Sequence, residues 1–161
     1  MELQAEVIIN APARAAWALL GEQFGKIGEW AVPIDESSVD SRPGPGAVRT
    51  CQIARFGPFP AGTIKERLFK FDPMAMSLAY ESADGMPAFV SRAINRWSVR
   101  PETPARCRVR TEATLELSGP VRLLAPLLAF KLRGDAARVL DQLCYRVEHR
   151  RPHPSKLGRV K

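Results

Sequence analysis

The stretch from Val121 to Val147, VRLLAPLLAFKLRGDAARVLDQLCYRV, decides the fold. Val121, Leu124, Leu128, Leu132, Ala136, Leu140, Leu143 and Val147 recur at helical spacing and form an apolar stripe about seven turns long. Pro126 falls near the start, where most of the hydrogen bonds it removes lie beside donors that have no partner anyway. Gly134 interrupts the middle only mildly. The spacing predicts one long amphipathic helix with room for a kink.

Most of the chain before it reads with a period of two. Leu3, Ala5, Val7 and Ile9 alternate with Glu2, Gln4 and Glu6, as in a half-buried strand. Asn10-Ala11-Pro12 then opens a short helix over residues 13–20, because proline suits the first helical turn. Gly21, Gly25 and Gly28 break the following residues into a turn or second short helix ending near Trp30. Strands are predicted over residues 32–39, 48–55, 63–71, 75–82, 90–99 and 107–117. Glycine- and proline-rich loops at 42–46, 56–62 and 83–87, with Asp72-Pro73 and a hairpin turn at 101–104, separate them.

Consecutive strands joined by short loops form an antiparallel meander, and a sheet of that length curls. A single helix laid across the concave face cannot fill it, so a cavity between helix and sheet is expected. The predicted class is α+β, a curved antiparallel sheet of about seven strands wrapped around a long C-terminal helix, with two short helices after the first strand.

The length of 161 residues and a hydrophobic content of 45% suit one domain, assigned to residues 1–149. The net charge is +7, but Arg150, Arg151, Lys156, Arg159 and Lys161 supply five positive charges with no negative one, so the folded body is close to balanced. With Pro152 and Pro154 among them, residues 150–161 are expected to be a basic, disordered tail. Cys51, Cys107 and Cys144 are odd in number and lack metal-ligand spacing, which supports neither a disulfide framework nor a zinc site. No leader or membrane-spanning run is evident, and a cytoplasmic location is expected.

Alternation also assigns faces, because charged side chains seldom occupy a buried face unpaired. Lys65 and Arg67 facing solvent turns Ile64, Glu66 and Leu68 inward. Arg92, Arg96 and Arg100 facing solvent turns Phe89, Ser91, Ala93, Asn95, Trp97 and Val99 inward. Thr111 and Ala113 share the inner face of the last strand, and Leu78 and Tyr80 are the inward pair of theirs. Arg49, Cys51 and Ile53 lie on one face of their strand; if that face is the inner one, Arg49 is the natural partner of Glu66. The Glu66 carboxylate is then either half of a structural ion pair or a ligand contact. Trp17, Trp30 and Trp97 suit either a cavity wall or plain core, and Leu128 faces the sheet from the helical stripe.

The opening strand into Asn10-Ala11-Pro12 and Trp17 is followed by Gly46-Ala47-Val48-Arg49, then Ile64-Lys65-Glu66-Arg67-Leu68 and Phe71-Asp72. With Leu78-Ala79-Tyr80 and Trp97-Ser98-Val99, this order over residues 2–149 resembles the START-like (SRPBCC) superfamily of polyketide cyclase/dehydrase and lipid-transport proteins. That resemblance implies a helix-grip fold around a hydrophobic pocket. Residues 57–68 are similar to the gate loop and following strand of plant abscisic-acid receptors, which implies Pro60 on a gate and Glu66 in the cavity. The corresponding latch, Ala83 to Pro87, carries Gly85-Met86-Pro87 in place of a basic and imidazole pair, so a shared loop-gated pocket is implied and hormone reception is not.

Neither a nucleophilic triad, a phosphate loop, a metal cluster nor a dinucleotide fingerprint is present, and both histidines, His149 and His153, fall at the basic end. No cofactor is expected. The expected partner is a small hydrophobic or amphipathic molecule, such as a lipid, isoprenoid or polyketide-like compound. No specific nucleic acid or integral membrane association is expected, and the state is monomer or homodimer. The alternative is a cyclase or dehydratase in which Glu66 acts as general acid or base, with Tyr80 or Arg49 stabilising an enolate. A third reading docks the basic tail on RNA or an anionic membrane.

Overall fold

The computed structural model describes residues 1–55 and 60–158. Among them, seven strands form one sheet: β1 (Glu2–Ile9), β2 (Ile34–Val39), β3 (Val48–Ile53), β4 (Gly62–Asp72), β5 (Ser77–Asp84), β6 (Val90–Thr103) and β7 (Arg106–Leu117). Their order is β1-β7-β6-β5-β4-β3-β2, antiparallel throughout, so the first two strands in sequence occupy opposite edges. Helix α1 (Ala13–Trp17), a π turn (Ala18–Glu22) and a 3₁₀ segment (Phe24–Glu29) bridge them. A 3₁₀ turn (Gly119–Leu124) then leads into α2 (Ala125–His149), which closes the concave face. This is the α+β helix-grip arrangement that the strand and helix order predicts.

Local sequence explains these elements. In β1 Leu3 and Ile9 are buried while Glu2, Gln4 and Glu6 are exposed. Pro12 directly precedes α1 with φ −57°, the value its ring imposes. The π turn passes directly over the Trp17 indole, because a Cβ on Gly21 would stand 2.5 Å from that ring. Two apolar clusters make the core. The larger joins Trp17, Phe24, Trp30, Leu68, Leu140 and Leu143, and the smaller joins Leu3, Val90, Leu115, Ala129 and Leu132. Polar clamps fix the helix: Val32 N donates to Gln142 Oε1 at 2.8 Å, and Asn10 N to Glu148 Oε1 at 2.7 Å.

Three expectations need correction. First, β6 runs through Pro101 to Thr103, because its pairing with β5 ends at Ser98 and the N–H that proline lacks has no ladder partner to serve there. Second, the helical stripe does not begin at its first residues. Residues 119–124 wind as a 3₁₀ turn, whose tighter pitch rotates the pattern and leaves Leu124 exposed. Third, the basic end carries local structure within the described residues. Pro154–Leu157 forms a helical turn, here α3, and the buried Lys156 donates from Nζ to the Ile34 carbonyl oxygen. The Tyr145 ring stacks on His149 at 4.2 Å and meets the edge of His153 at 5.0 Å. Composition registers the charges of this segment but not the single lysine that anchors it. No helix among the described residues is long and apolar enough to cross a membrane.

Candidate functional site

Between α2 and the sheet lies a cavity of about 250 Å³. The sheet contributes Ile64 and Glu66 of β4, Tyr80 of β5, Asn95 and Trp97 of β6, and Thr111 and Ala113 of β7. Ile27, Pro33 and Ile53 close one side, and Leu132, Asp135, Ala136 and Val139 of α2 form the roof. The wall is mostly aliphatic with a few polar groups, the composition typical of small-molecule sites.

One polar group is a built ion pair. β3 and β4 pair Arg49 directly opposite Glu66. Arg49 Nε and Nη2 donate to Glu66 Oε2 at 2.8 and 2.6 Å, while Nη1 donates to the Phe24 carbonyl oxygen at 2.9 Å. The guanidinium also lies over the Phe24 ring at 3.9 Å and the Tyr80 ring at 4.9 Å, a cation–π sandwich. Cys51 Sγ approaches the same Oε2 at 3.6 Å. The contacts that Arg49 and Cys51 make to Glu66 fall on Oε2, and Glu66 also lines the cavity. Burial disfavours the charge on Arg49, but the Glu66 carboxylate together with the neighbouring Tyr80 and Cys51 outweighs it and holds the guanidinium protonated. Burial first, and the Glu66 charge second, push the Cys51 thiol up to about 12 and raise the Tyr80 phenol well above its usual range.

The second polar group escapes the alternation rules. Asp135 of α2 is 5% exposed and lines the cavity. Its Oδ1 meets the exposed Arg138 at 3.4 Å, whereas Oδ2 is buried without a hydrogen-bond partner among the described residues. Its position could have betrayed it: Leu132, Asp135, Ala136 and Val139 follow the i, i+3, i+4, i+7 pattern of one helix face, with a carboxylate where an apolar residue belongs.

The expected site residues fall into several groups. Ile53, Ile64, Glu66, Tyr80, Asn95, Trp97, Thr111 and Ala113 line the cavity. Trp17, Trp30, Leu68 and Leu78 are buried in the large core cluster, behind the wall. Arg49 is outside the lining and reaches the site through Glu66 and the Tyr80 ring, and Phe89 and Leu128 pack in the smaller cluster. Ser91 is turned out, its hydroxyl donating to the Glu116 carbonyl oxygen at 3.1 Å, because a register shift between Val90 and Arg92 breaks the alternation.

Of the expected gate, residues 56–59 lie outside the described residues. Pro60 borders a second hollow of about 100 Å³, formed with Ala61, Gly62, Gly85, Met86 and Pro87. Ile53, Ile64 and Met86 belong to both hollows, so the two adjoin. Gly85 lets the second loop lie close against β4. Its φ is +84°, and a Cβ there would stand 1.9 Å from the Thr63 carbonyl oxygen.

A curved sheet gripping one helix around a loop-flanked apolar hollow defines the helix-grip class. The chain belongs to the polyketide cyclase / dehydrase and lipid transport family, whose pattern it matches over residues 1–148. Its fold is similar to that of the di-domain ARO/CYC protein BexL, with a TM-score of 0.77 and 17% identity over 92% of this chain and 46% of that one. The chain thus spans less than half of BexL. The Zhui aromatase/cyclase from a Streptomyces species gives a TM-score of 0.75 and 17% identity over 93% of this chain and 94% of that one. Norcoclaurine synthase from Thalictrum flavum, solved with dopamine and hydroxybenzaldehyde, gives 0.67 and 14% over 95% and 89%. No curated protein matches the sequence significantly.

Proposed function

We propose that this protein binds a small amphipathic molecule in the cavity, apolar over most of its surface and carrying a hydrogen-bond donor that meets Asp135. The carrying observation is Asp135, which lines an aliphatic hollow and whose buried Oδ2 has no hydrogen-bond partner among the described residues. An unsatisfied carboxylate oxygen costs stability unless something supplies a donor, and a hydroxyl or amine on the ligand does so. Glu66, Asn95 and Thr111 offer further polar contacts on the same wall. A volume of about 250 Å³ sits just below the range of drug-sized pockets and suits a one- or two-ring compound better than a two-chain lipid. Entry between the Pro60–Gly62 and Gly85–Pro87 loops fits the way the two hollows adjoin.

A cyclase or dehydratase is the second reading, favoured by the two carboxylates that share one cavity. With Oε2 of Glu66 committed to Arg49, Asp135 is the better placed of the two to exchange a proton with a carbonyl-bearing substrate.

Calorimetry with 2-naphthol, naphthalene and 2-naphthoate tests the binding reading. 2-Naphthol binds tightest and 2-naphthoate weakest. Asp135→Asn weakens 2-naphthol by about tenfold or more, as expected for a hydrogen bond to a charged group, and leaves naphthalene unchanged. Equal affinities across the three probes, or an unaffected Asp135→Asn protein, would reject the assigned role. Turnover of an aromatic polyketone, lost in Asp135→Asn, distinguishes the enzyme from the carrier.

A further inference from the structure

The start of α2 is apolar on both sides. Ala129 and Leu132 are buried on the smaller core cluster, with Leu128 packed against it. On the outside, Leu123, Leu124, Leu127 and Phe130 are 84%, 57%, 68% and 78% exposed. A helix that is hydrophobic all round is ordinarily buried all round. Leu127 and Phe130 are i, i+3 neighbours, so their side chains form one ridge, continued backward by Leu123.

Along the chain the charges flanking this ridge have one sign, while in space Arg133 borders a hollow that also holds Glu2 and Glu112. Between Glu116 and Asp135 the chain carries Arg122, Lys131 and Arg133 and no carboxylate. Of the two flanking acids, Glu116 faces Arg92 at 3.7 Å and Asp135 is buried in the cavity wall. At about 100° per residue, Lys131 and Arg133 fall on opposite sides of the Leu127–Phe130 ridge, where their stems can lie along apolar material and their heads reach outward. The inner face of the same stretch shares its cluster with a residue of the cavity mouth. Met86, which lines both hollows, belongs to the same cluster as Leu128.

We propose that this face docks on an anionic lipid bilayer, Leu123, Leu127 and Phe130 entering the headgroup boundary while Arg122, Lys131 and Arg133 meet lipid phosphates. The ridge is convex, and a fluid bilayer conforms to such a surface where a protein partner would need a matching groove. A second copy of the chain would bring the same three cations face to face, so charge favours a negative partner. An apolar ridge bordered by basic side chains is the pattern of helices that lie in the membrane interface. Docking here sets the cavity's loop end beside the membrane, from which an amphipathic ligand can pass.

Co-sedimentation of the whole protein with phosphatidylcholine vesicles, with and without phosphatidylglycerol, tests the proposal. The protein binds the mixed vesicles, binds the neutral ones at least tenfold more weakly, and loses affinity as salt rises. Leu127→Ser/Phe130→Ser and Lys131→Glu/Arg133→Glu each lower binding to mixed vesicles at least tenfold, with thermal melts unchanged because these positions are exposed. Binding retained by the serine variant would move the contact elsewhere, to the basic end for instance, and overturn the proposal. Equal binding to neutral vesicles overturns it as well. So does a wild-type dimer in light scattering that the serine variant dissolves while vesicles are ignored.

Discussion

Removing either member of the Arg49–Glu66 pair should be far more damaging than removing both. Arg49 is 3% exposed and keeps its charge, so Glu66→Leu strands a buried guanidinium with the Phe24 carbonyl oxygen as its one remaining direct hydrogen-bond partner among the described residues. Arg49→Met strands the carboxylate, whose side chain is 15% exposed, and also takes the donor from Phe24. Breaking a buried pair costs about 3–5 kcal/mol, and the partial access of Glu66 to the cavity puts Arg49→Met toward the lower end. Replacing both by apolar residues of similar volume leaves no orphaned charge, and Arg49→Met/Glu66→Leu should lie within about 1–2 kcal/mol of wild type. The coupling from the double-mutant cycle is then several kcal/mol, well above the roughly 0.5 kcal/mol expected of independent sites. Urea unfolding followed by tryptophan fluorescence measures all four proteins on one scale. A double variant as unstable as the two single losses added together would show that the pair is not coupled, and the electrostatic account of this wall would be wrong.

Two further outcomes follow from the geometry. Gly85→Ala forces a Cβ to within 1.9 Å of a backbone oxygen at φ +84°, so the loop must move; a loss of about 1–3 kcal/mol is expected, and an unchanged melting temperature would contradict the close approach. Stability should also decline above about pH 9, because the unfolded Cys51 thiol ionises near 9.0 while the folded one keeps its proton until about 12. Over that window the folded state binds more protons, giving a slope of about 1.4 kcal/mol per pH unit from this group, and Cys51→Ala should flatten the curve by that amount. An alkaline profile identical to wild type would contradict the assignment.

The element order and most strand faces were legible in the sequence because they rest on period and charge. Lys65 and Arg67 must face water, and that places Glu66. Depth is another matter. Alternation puts Leu68 and Ile64 on one face without saying that Leu68 packs behind the wall and Ile64 lines it, since that depends on how far α2 stands off the sheet. Ser91 was misplaced because a register shift is a backbone event with no periodic signature. Asp135 escapes the apolar stripe because that pattern counts only apolar residues. Leu128 was drawn to the cavity by the same stripe, although the first turns of α2 rest on the smaller cluster instead.

The pairing of β1 with β7 matches Glu2 with Thr114 and Ile9 with Cys107. On a ribosome adding about 5–20 residues per second, the opening strand therefore emerges roughly 5–20 s before its partner exists. Through that interval Leu3, Val7 and Ile9 lie on an unmated edge, able to join a neighbouring nascent chain. Synthesis rate and chaperone supply therefore bear on the folded yield of this protein alongside the stability of the finished domain.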